Sequence, residues 1–144
     1  MEQLKGKVAL ITGATRGIGY AMAKCFAAEG AEIAFTYVNS VERANQVEQE
    51  LAEIGVKAKG FQSDAASFEN ANQVVESVVK EFGKIDILVN NAGIMYCQGI
   101  AETSERMLNL MMMVHMNTPL MLCRKYVGAM KERGCGYILN ISSL

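Results

Sequence analysis

Residues 12–19 of this chain read TGATRGIG, a glycine-rich turn set directly between a strand-like and a helix-like segment. Lys7–Thr12 is a short apolar, β-leaning run. Ile18–Glu29 then takes up Ala-rich helical spacing, and Gly30 stands where a helix stop is expected. A strand that passes through Gly13, Gly17 and Gly19 into a helix suits a pyrophosphate. The helix N-terminus offers unpaired N–H groups and the positive end of its dipole, and glycine permits the tight turn and close backbone approach. A Walker-type loop needs Lys and then Ser or Thr after its last glycine; here Gly19 precedes Tyr20-Ala21, which disfavours an ATPase. The plain alternative is a turn that merely packs a helix onto a strand.

The rest of the chain continues the alternation. Glu32–Val38 predicts a second strand. Residues 41–54 place Val41, Ala44, Val47, Leu51 and Ile54 at helical spacing, with Gly55 as the stop. Val56–Phe61 predicts a third strand, and Phe68, Ala71, Val74, Val75, Val78, Val79 and Phe82 mark one face of a helix closed by Gly83. Ile85–Val89 is apolar enough for a strand buried on both faces. A long helix over about 103–132 and a fifth strand, Gly136–Ile141, complete a βαβαβαβαβ order. Right-handed crossovers turn that order into an α/β fold, a Rossmann-type doubly wound parallel sheet, truncated after the fifth strand. Residues 1–144 are expected to form one dinucleotide-binding domain.

Composition narrows the partners. The 144 residues are 51% hydrophobic and 20% charged with a net charge of −1, so no basic excess is present to meet nucleic-acid phosphates. Cys25, Cys97, Cys123 and Cys135 form no CxxC pair and His115 is the single histidine, which argues against a metal site. The cysteines are expected as reduced core or boundary thiols. Residues 107–123 carry no charge but contain Asn109, His115, Asn117 and Pro119. They also fall short of the ~20 apolar residues a span needs, so a buried helix is expected rather than a membrane segment. Met1–Lys7 is polar rather than a signal sequence, and the expectation is a cytoplasmic chain.

The GxxxGxG spacing at Gly13, Gly17 and Gly19 resembles the short-chain dehydrogenase/reductase family, and further matches follow in chain order. Asp64 lies beyond the third strand, Asn90-Asn91-Ala92-Gly93 ends the fourth, Asn117 lies within the long helix, and Ile141-Ser142-Ser143 ends the fifth. The overall look is similar to 3-oxoacyl-carrier-protein reductases and hydroxysteroid-type dehydrogenases, over the N-terminal part only. The resemblance implies a cofactor cradle of Gly13, Ala14, Thr15, Arg16, Gly17, Ile18 and Gly19, with Asp64 and Ala65 near the adenine and Asn91, Ala92 and Gly93 beside it. It implies an active-site Asn117, which helps hold a water in a proton relay, and a substrate-orienting serine at Ser143, with Ser142 as fallback. Bland readings stand beside these: Asp64 as a cap of the following helix, NNAG as a strand-ending turn, Asn117 as a satisfied core amide. His115 reads as a packing residue. Pro119 has no N–H to offer the His115 carbonyl, so the helix should break there.

Cofactor choice can be read from the second strand. An NAD site usually carries Asp or Glu at its end to bond the ribose 2′-hydroxyl, and here the residues are Tyr37-Val38-Asn39-Ser40. The guanidinium of Arg16 suits a 2′-phosphate, with Arg43 as a second candidate, and NADP is favoured over NAD. By resemblance the chemistry is hydride transfer between that cofactor and a small carbonyl or alcohol. The proton comes from a tyrosine whose pKa a nearby lysine lowers. That Tyr-x-x-x-Lys pair follows the serine and would lie beyond Leu144. The one such spacing here, Tyr20 to Lys24, sits in the first helix at the wrong end of the cofactor. Two expectations stand: an N-terminal portion of a reductase, inactive alone, or a nucleotide-binding or interaction module without catalysis. A homo-oligomer through helix 103–132, or through a fifth strand exposing Ile138, Leu139 and Ile141, is the association expected.

Overall fold

A computed structural model describes residues 2–142. Five parallel strands form one sheet: β1 (Val8–Ile11), β2 (Glu32–Tyr37), β3 (Ala58–Gln62), β4 (Ile87–Asn90) and β5 (Tyr137–Asn140). Their order is β3-β2-β1-β4-β5, so the chain winds outward to β3, crosses back, and continues on the other side of β1. This is the doubly wound parallel sheet that the alternation predicts.

Period-two alternation sends the strand side chains into two cores. Ala9, Ile11, Ile33, Phe35, Ile87 and Val89 pack under α1 (Gly17–Ala28) and α2 (Val41–Ile54), meeting Ala23, Ala27, Ala44, Val47 and Leu51. Leu10, Ala34 and Leu88 face the other way. There α3 (Phe68–Phe82) contributes Ala71, Val74, Val75 and Val78, and α5 (Thr118–Glu132) contributes Leu122, Tyr126 and Met130. Gly55 and Gly83 end α2 and α3 in the left-handed conformation, as the sequence predicts.

Three expectations need correction. The third strand begins at Ala58 rather than Val56, because pairing with β2 starts at Ile33 opposite Ala58. The helix expected over 103–132 is not continuous. After a 3-10 turn at Ile100–Glu102, α4 (Glu105–Met112) starts where the Ser104 hydroxyl accepts from the Met107 N–H at 3.2 Å, and a π-helical turn, Met113–Asn117, separates it from α5. In that turn the Thr118 N–H bonds Met113 O, five residues back. The wider turn inserts an extra residue where Pro119 cannot donate. The cysteines are also less buried than expected: Cys25, Cys97 and Cys135 are exposed and only Cys123 is half-buried. Cys25 shows why, since it sits between buried Ala23 and Ala27 on a helix whose opposite face carries the packing.

Opposite the glycine loop, the sheet is tied together by a buried carboxylate. Asp86 accepts from the Val8 N–H (2.9 Å) and pairs with Lys84 (2.9 Å). Arg133, at the end of α5, lies 3.7 Å from its other oxygen and also donates to Ile85 O and to the Tyr126 hydroxyl. Burial pushes the Asp86 carboxyl up, but the Lys84 and Val8 hydrogen bonds outweigh it and hold the group below the ordinary aspartate value.

Candidate functional site

In an open parallel sheet, ligands bind beyond the carboxyl ends of the strands where the winding reverses. Here that point lies between β1 and β4. The segments leaving those strands are the glycine loop and Asn91-Ala92-Gly93, and the structure locks them together. The Thr12 hydroxyl oxygen accepts from both the Asn91 N–H (3.0 Å) and the Ala92 N–H (2.9 Å). The Asn91 side-chain amide donates back to Thr12 O (3.0 Å) and Gly13 O (3.1 Å). From β2, Thr36 accepts from the Gly13 N–H through its hydroxyl and from the Ala14 N–H through its carbonyl.

Two glycines are required by this geometry. A Cβ on Gly19 would stand 2.4 Å from Asn91 Nδ2 and 2.5 Å from Gly13 O, which no side chain tolerates. Gly17 has φ +59°, the left-handed region, and a Cβ there would meet nothing within 4 Å. The space over the start of α1 is therefore open. The first-turn N–H groups have no partner within the helix, and Arg16, the N-cap, supplies no side-chain bond to them. Ala14 is buried, Thr15 half-buried, and Arg16 and Ile18 are exposed. An open, positively polarised helix start beneath a glycine turn fits a pyrophosphate.

A polar cluster flanks the loop. Arg43, in the first turn of α2, donates from Nε to Thr15 O (3.1 Å) and from Nη1 to Glu50 (2.8 Å). Its guanidinium lies 4.8 Å from the Tyr20 ring centre, and the Tyr20 hydroxyl also bonds Glu50. The Tyr20 and Arg43 hydrogen bonds lower the Glu50 pKa, and Glu50 and Tyr20 raise that of Arg43. Tyr20 and Lys24 are neighbours at 5.5 Å, but that tyrosine is committed to Glu50.

On the other side, Asp64 is exposed and its carboxylate accepts from the Ala66 N–H at 2.8 Å, while Ser67 caps α3 through the Asn70 N–H. Ala65 O accepts from the Thr118 hydroxyl, which fastens the start of α5 to this loop. Asn117 ends the π turn, half-buried, and Pro119 follows within α5. His115 Nε2 faces both the N–H (3.2 Å) and the carbonyl (2.6 Å) of Ile94, and a Cβ on Gly93 would meet His115 Cε1 at 2.8 Å. His115 is exposed, and instead of packing in a core its ring meets the backbone of the segment after NNAG. An open cleft of about 380 Å³ runs from there to the end of β5, walled by Asn90, Ala92, His115, Pro119, Asn140 and Ser142 among others. Ser143 lies outside the described residues.

Sequence reading placed the glycine loop and the NNAG segment together. It missed Thr12, Thr36 and the Arg43–Glu50–Tyr20 cluster as their fasteners. Threonine at the end of two successive parallel strands was the available signal; nothing in the spacing marks Glu50.

Fold and site together define a Rossmann-type α/β domain with a glycine turn over an uncapped helix start. The family model of the short chain dehydrogenases matches residues 7–144, and the chain belongs to that family. It is 40% identical to an uncharacterized oxidoreductase of Thermotoga maritima over 96% of its own length and 54% of that protein's. It is 38% identical to the NADPH-dependent aldehyde reductase 1, chloroplastic, of Arabidopsis thaliana, over 99% of this chain and 51% of that one. A crystal structure of a metagenomic short-chain oxidoreductase in complex with NADP superposes with a TM-score of 0.94 at 33% identity, covering 99% of this chain and 64% of that one. The chain spans about half the length of the curated relatives it matches.

Proposed function

We propose that this chain binds NADP, in preference to NAD, and forms the cofactor-holding part of an oxidoreductase acting on small carbonyl or alcohol substrates. The observation that carries the reading is the open space over Gly17 at the unpaired start of α1. The pyrophosphate would rest on the free N–H groups at the start of α1, within the Gly13–Gly19 loop, with Asp64 and Ala65 at the adenine end and Asn91, Ala92 and Gly93 along its path. Asn91 contributes by holding the loop, because its amide is already spent on Thr12 and Gly13. The Arg16 guanidinium is exposed and β2 is followed by Val38-Asn39-Ser40, with no carboxylate, which makes Arg16 the group for a 2′-phosphate. When bound, the dinucleotide would give a hydride to a carbonyl in its reduced form or take one from an alcohol in its oxidised form. Asn117 would keep a proton-relay water in place, and Ser143, with Ser142 as fallback, would orient the substrate oxygen.

Calorimetric titration with NADP and NAD tests this. NADP should bind tighter, and Arg16→Ala should weaken NADP by about tenfold while leaving NAD nearly unchanged, the effect of losing one charge-assisted contact. Tighter binding of NAD by the native chain would sink the assignment of Arg16.

A second reading is a nucleotide-binding module without turnover; Tyr20, which has Lys24 at the Tyr-x-x-x-Lys spacing, is bonded to Glu50. Assaying cofactor oxidation with keto substrates, on this chain and on one extended to the length of its relatives, separates the two. The first reading expects turnover from the extended chain alone. The reading also includes one domain over 1–144 and a cytoplasmic location, supported by the exposed thiols of Cys25, Cys97 and Cys135, which suit a reducing compartment. It includes self-association along Leu108, Met112, Met116 and Leu120, an exposed row across α4, the π turn and α5, or at β5. A sedimentation series showing only monomer would remove that part.

A further inference from the structure

We propose that Arg43 is a positioning residue for the phosphate-binding loop, and that it sets affinity for both dinucleotides equally rather than reading the 2′-phosphate. The inference rests on the dinucleotide reading above and gives Arg43 and Arg16 different work. Three partners already hold the Arg43 side chain: Thr15 O through Nε at 3.1 Å, Glu50 through Nη1 at 2.8 Å, and the face of Tyr20 at 4.8 Å. Gln46 adds a longer contact at 3.4 Å. Glu50 is itself fixed from the α1 side by the Tyr20 hydroxyl, so the cluster bridges α1, α2 and the loop between β1 and α1.

Its consequence for binding comes from the peptide group. In a planar trans peptide the carbonyl and the following N–H point in opposite directions. Tying Thr15 O to Arg43 therefore turns the Arg16 N–H away from α2 and fixes the extended backbone of Arg16 (φ −157°, ψ 173°). Gly17 follows in the left-handed conformation, and the free donors of α1 begin there. Without Arg43 the Thr15–Arg16 peptide has no fastening to α2, and the Arg16–Gly17 peptide that follows it can turn at little cost because Gly17 tolerates either sign of φ. A site that must order its donors on binding is weaker for any pyrophosphate, whichever sugar substituent accompanies it. Arg16 itself makes no bond with the cluster through its side chain and stays exposed.

Calorimetry and amide hydrogen exchange test this on the native chain and its variants. R43A should raise the Kd for both NADP and NAD by about tenfold, the loss expected of one charge-assisted hydrogen bond, with their ratio held within about twofold. R16A should move the ratio instead. Added ethylguanidinium should return part of the affinity of R43A and none of that of R16A. A loss confined to NADP in R43A, or no loss at all, overturns the assignment. In the ligand-free chain, exchange at the Arg16 and Gly17 amides should rise by about tenfold in R43A; unchanged exchange also overturns it. If R43A does not fold, E50Q should show the same pattern at smaller size, and a changed NADP/NAD ratio in E50Q counts against the proposal. Failure of the native chain to bind either dinucleotide removes the functional reading, while the exchange result still decides the role of Arg43.

Discussion

β3 and β5 are the two outer strands of one sheet, and they are finished differently. On β3, Lys59 and the preceding Lys57 both reach Glu81 of α3, at 3.4 and 2.9 Å. The Gly60 N–H is taken by the Glu48 carboxylate of α2 at 2.6 Å. Charge and side-chain hydrogen bonding blunt this edge against pairing with another chain. β5 carries no such device. Tyr137–Ser142 has no charged residue, and Tyr137, Ile138 and Ile141 are exposed. Its composition is that of an interior strand, while β3 is built as a border. The same asymmetry marks the sites at the sheet's end: the loop after β1 is fastened from β2, β4 and α2, whereas residues 93–102 are exposed throughout. The difference teaches that the glycine-loop side is fastened by side chains from several elements, while β5, paired with β4, presents an apolar border.

Truncation of matched apolar residues should give the widest separation between the two sides. Phe35→Ala in β2 removes a fully buried ring and should cost about 3–5 kcal/mol in urea unfolding, while Ile138→Ala in β5 should cost under about 1 kcal/mol. Equal costs would mean that β5 is covered in solution and would end the comparison. Next in size is the lock between β1 and β4. Thr12→Val keeps the shape but leaves the Asn91 and Ala92 N–H groups without their acceptor, a loss of about 2 kcal/mol that should come with weaker dinucleotide binding. Stability lost with binding untouched would show that the lock serves folding alone.

The smallest effect depends on pH. Asp86 has its pKa lowered in the folded chain, so its contribution is fully present above the ordinary aspartate range. It is lost as pH falls through the lowered value. The stability difference between the native chain and Asp86→Asn should therefore shrink as pH drops below about 4. A difference that stays constant from neutral pH to pH 3 would show that the Lys84 and Val8 contacts are not what Asp86 contributes.

Local sequence was enough for the strand and helix order and for the glycine stops at Gly55 and Gly83. Hydrophobic period and turn chemistry act over a few residues, and both are written along the chain. The break near Pro119 was legible for the same reason, since a missing N–H is a property of the residue. Its form was not: an added residue in a π turn depends on how α5 docks against α3 and the Ala65 carbonyl. The exposure of Cys25, Cys97 and Cys135 was not legible either, because a thiol suits a core or a surface and only packing decides between them.

The glycine loop began as a local signal, and sequence alone determined its chemistry: three glycines between a strand and a helix whose first N–H groups have no partner in the helix. Tertiary structure decided how that loop is held. Thr12, Thr36, Asn91 and Arg43 come from four separate segments and converge on it only when β1, β2 and β4 align and α2 lies beside α1. No spacing in a linear chain encodes such a meeting, because each contact joins residues whose separation is set by the sheet order rather than by the sequence between them.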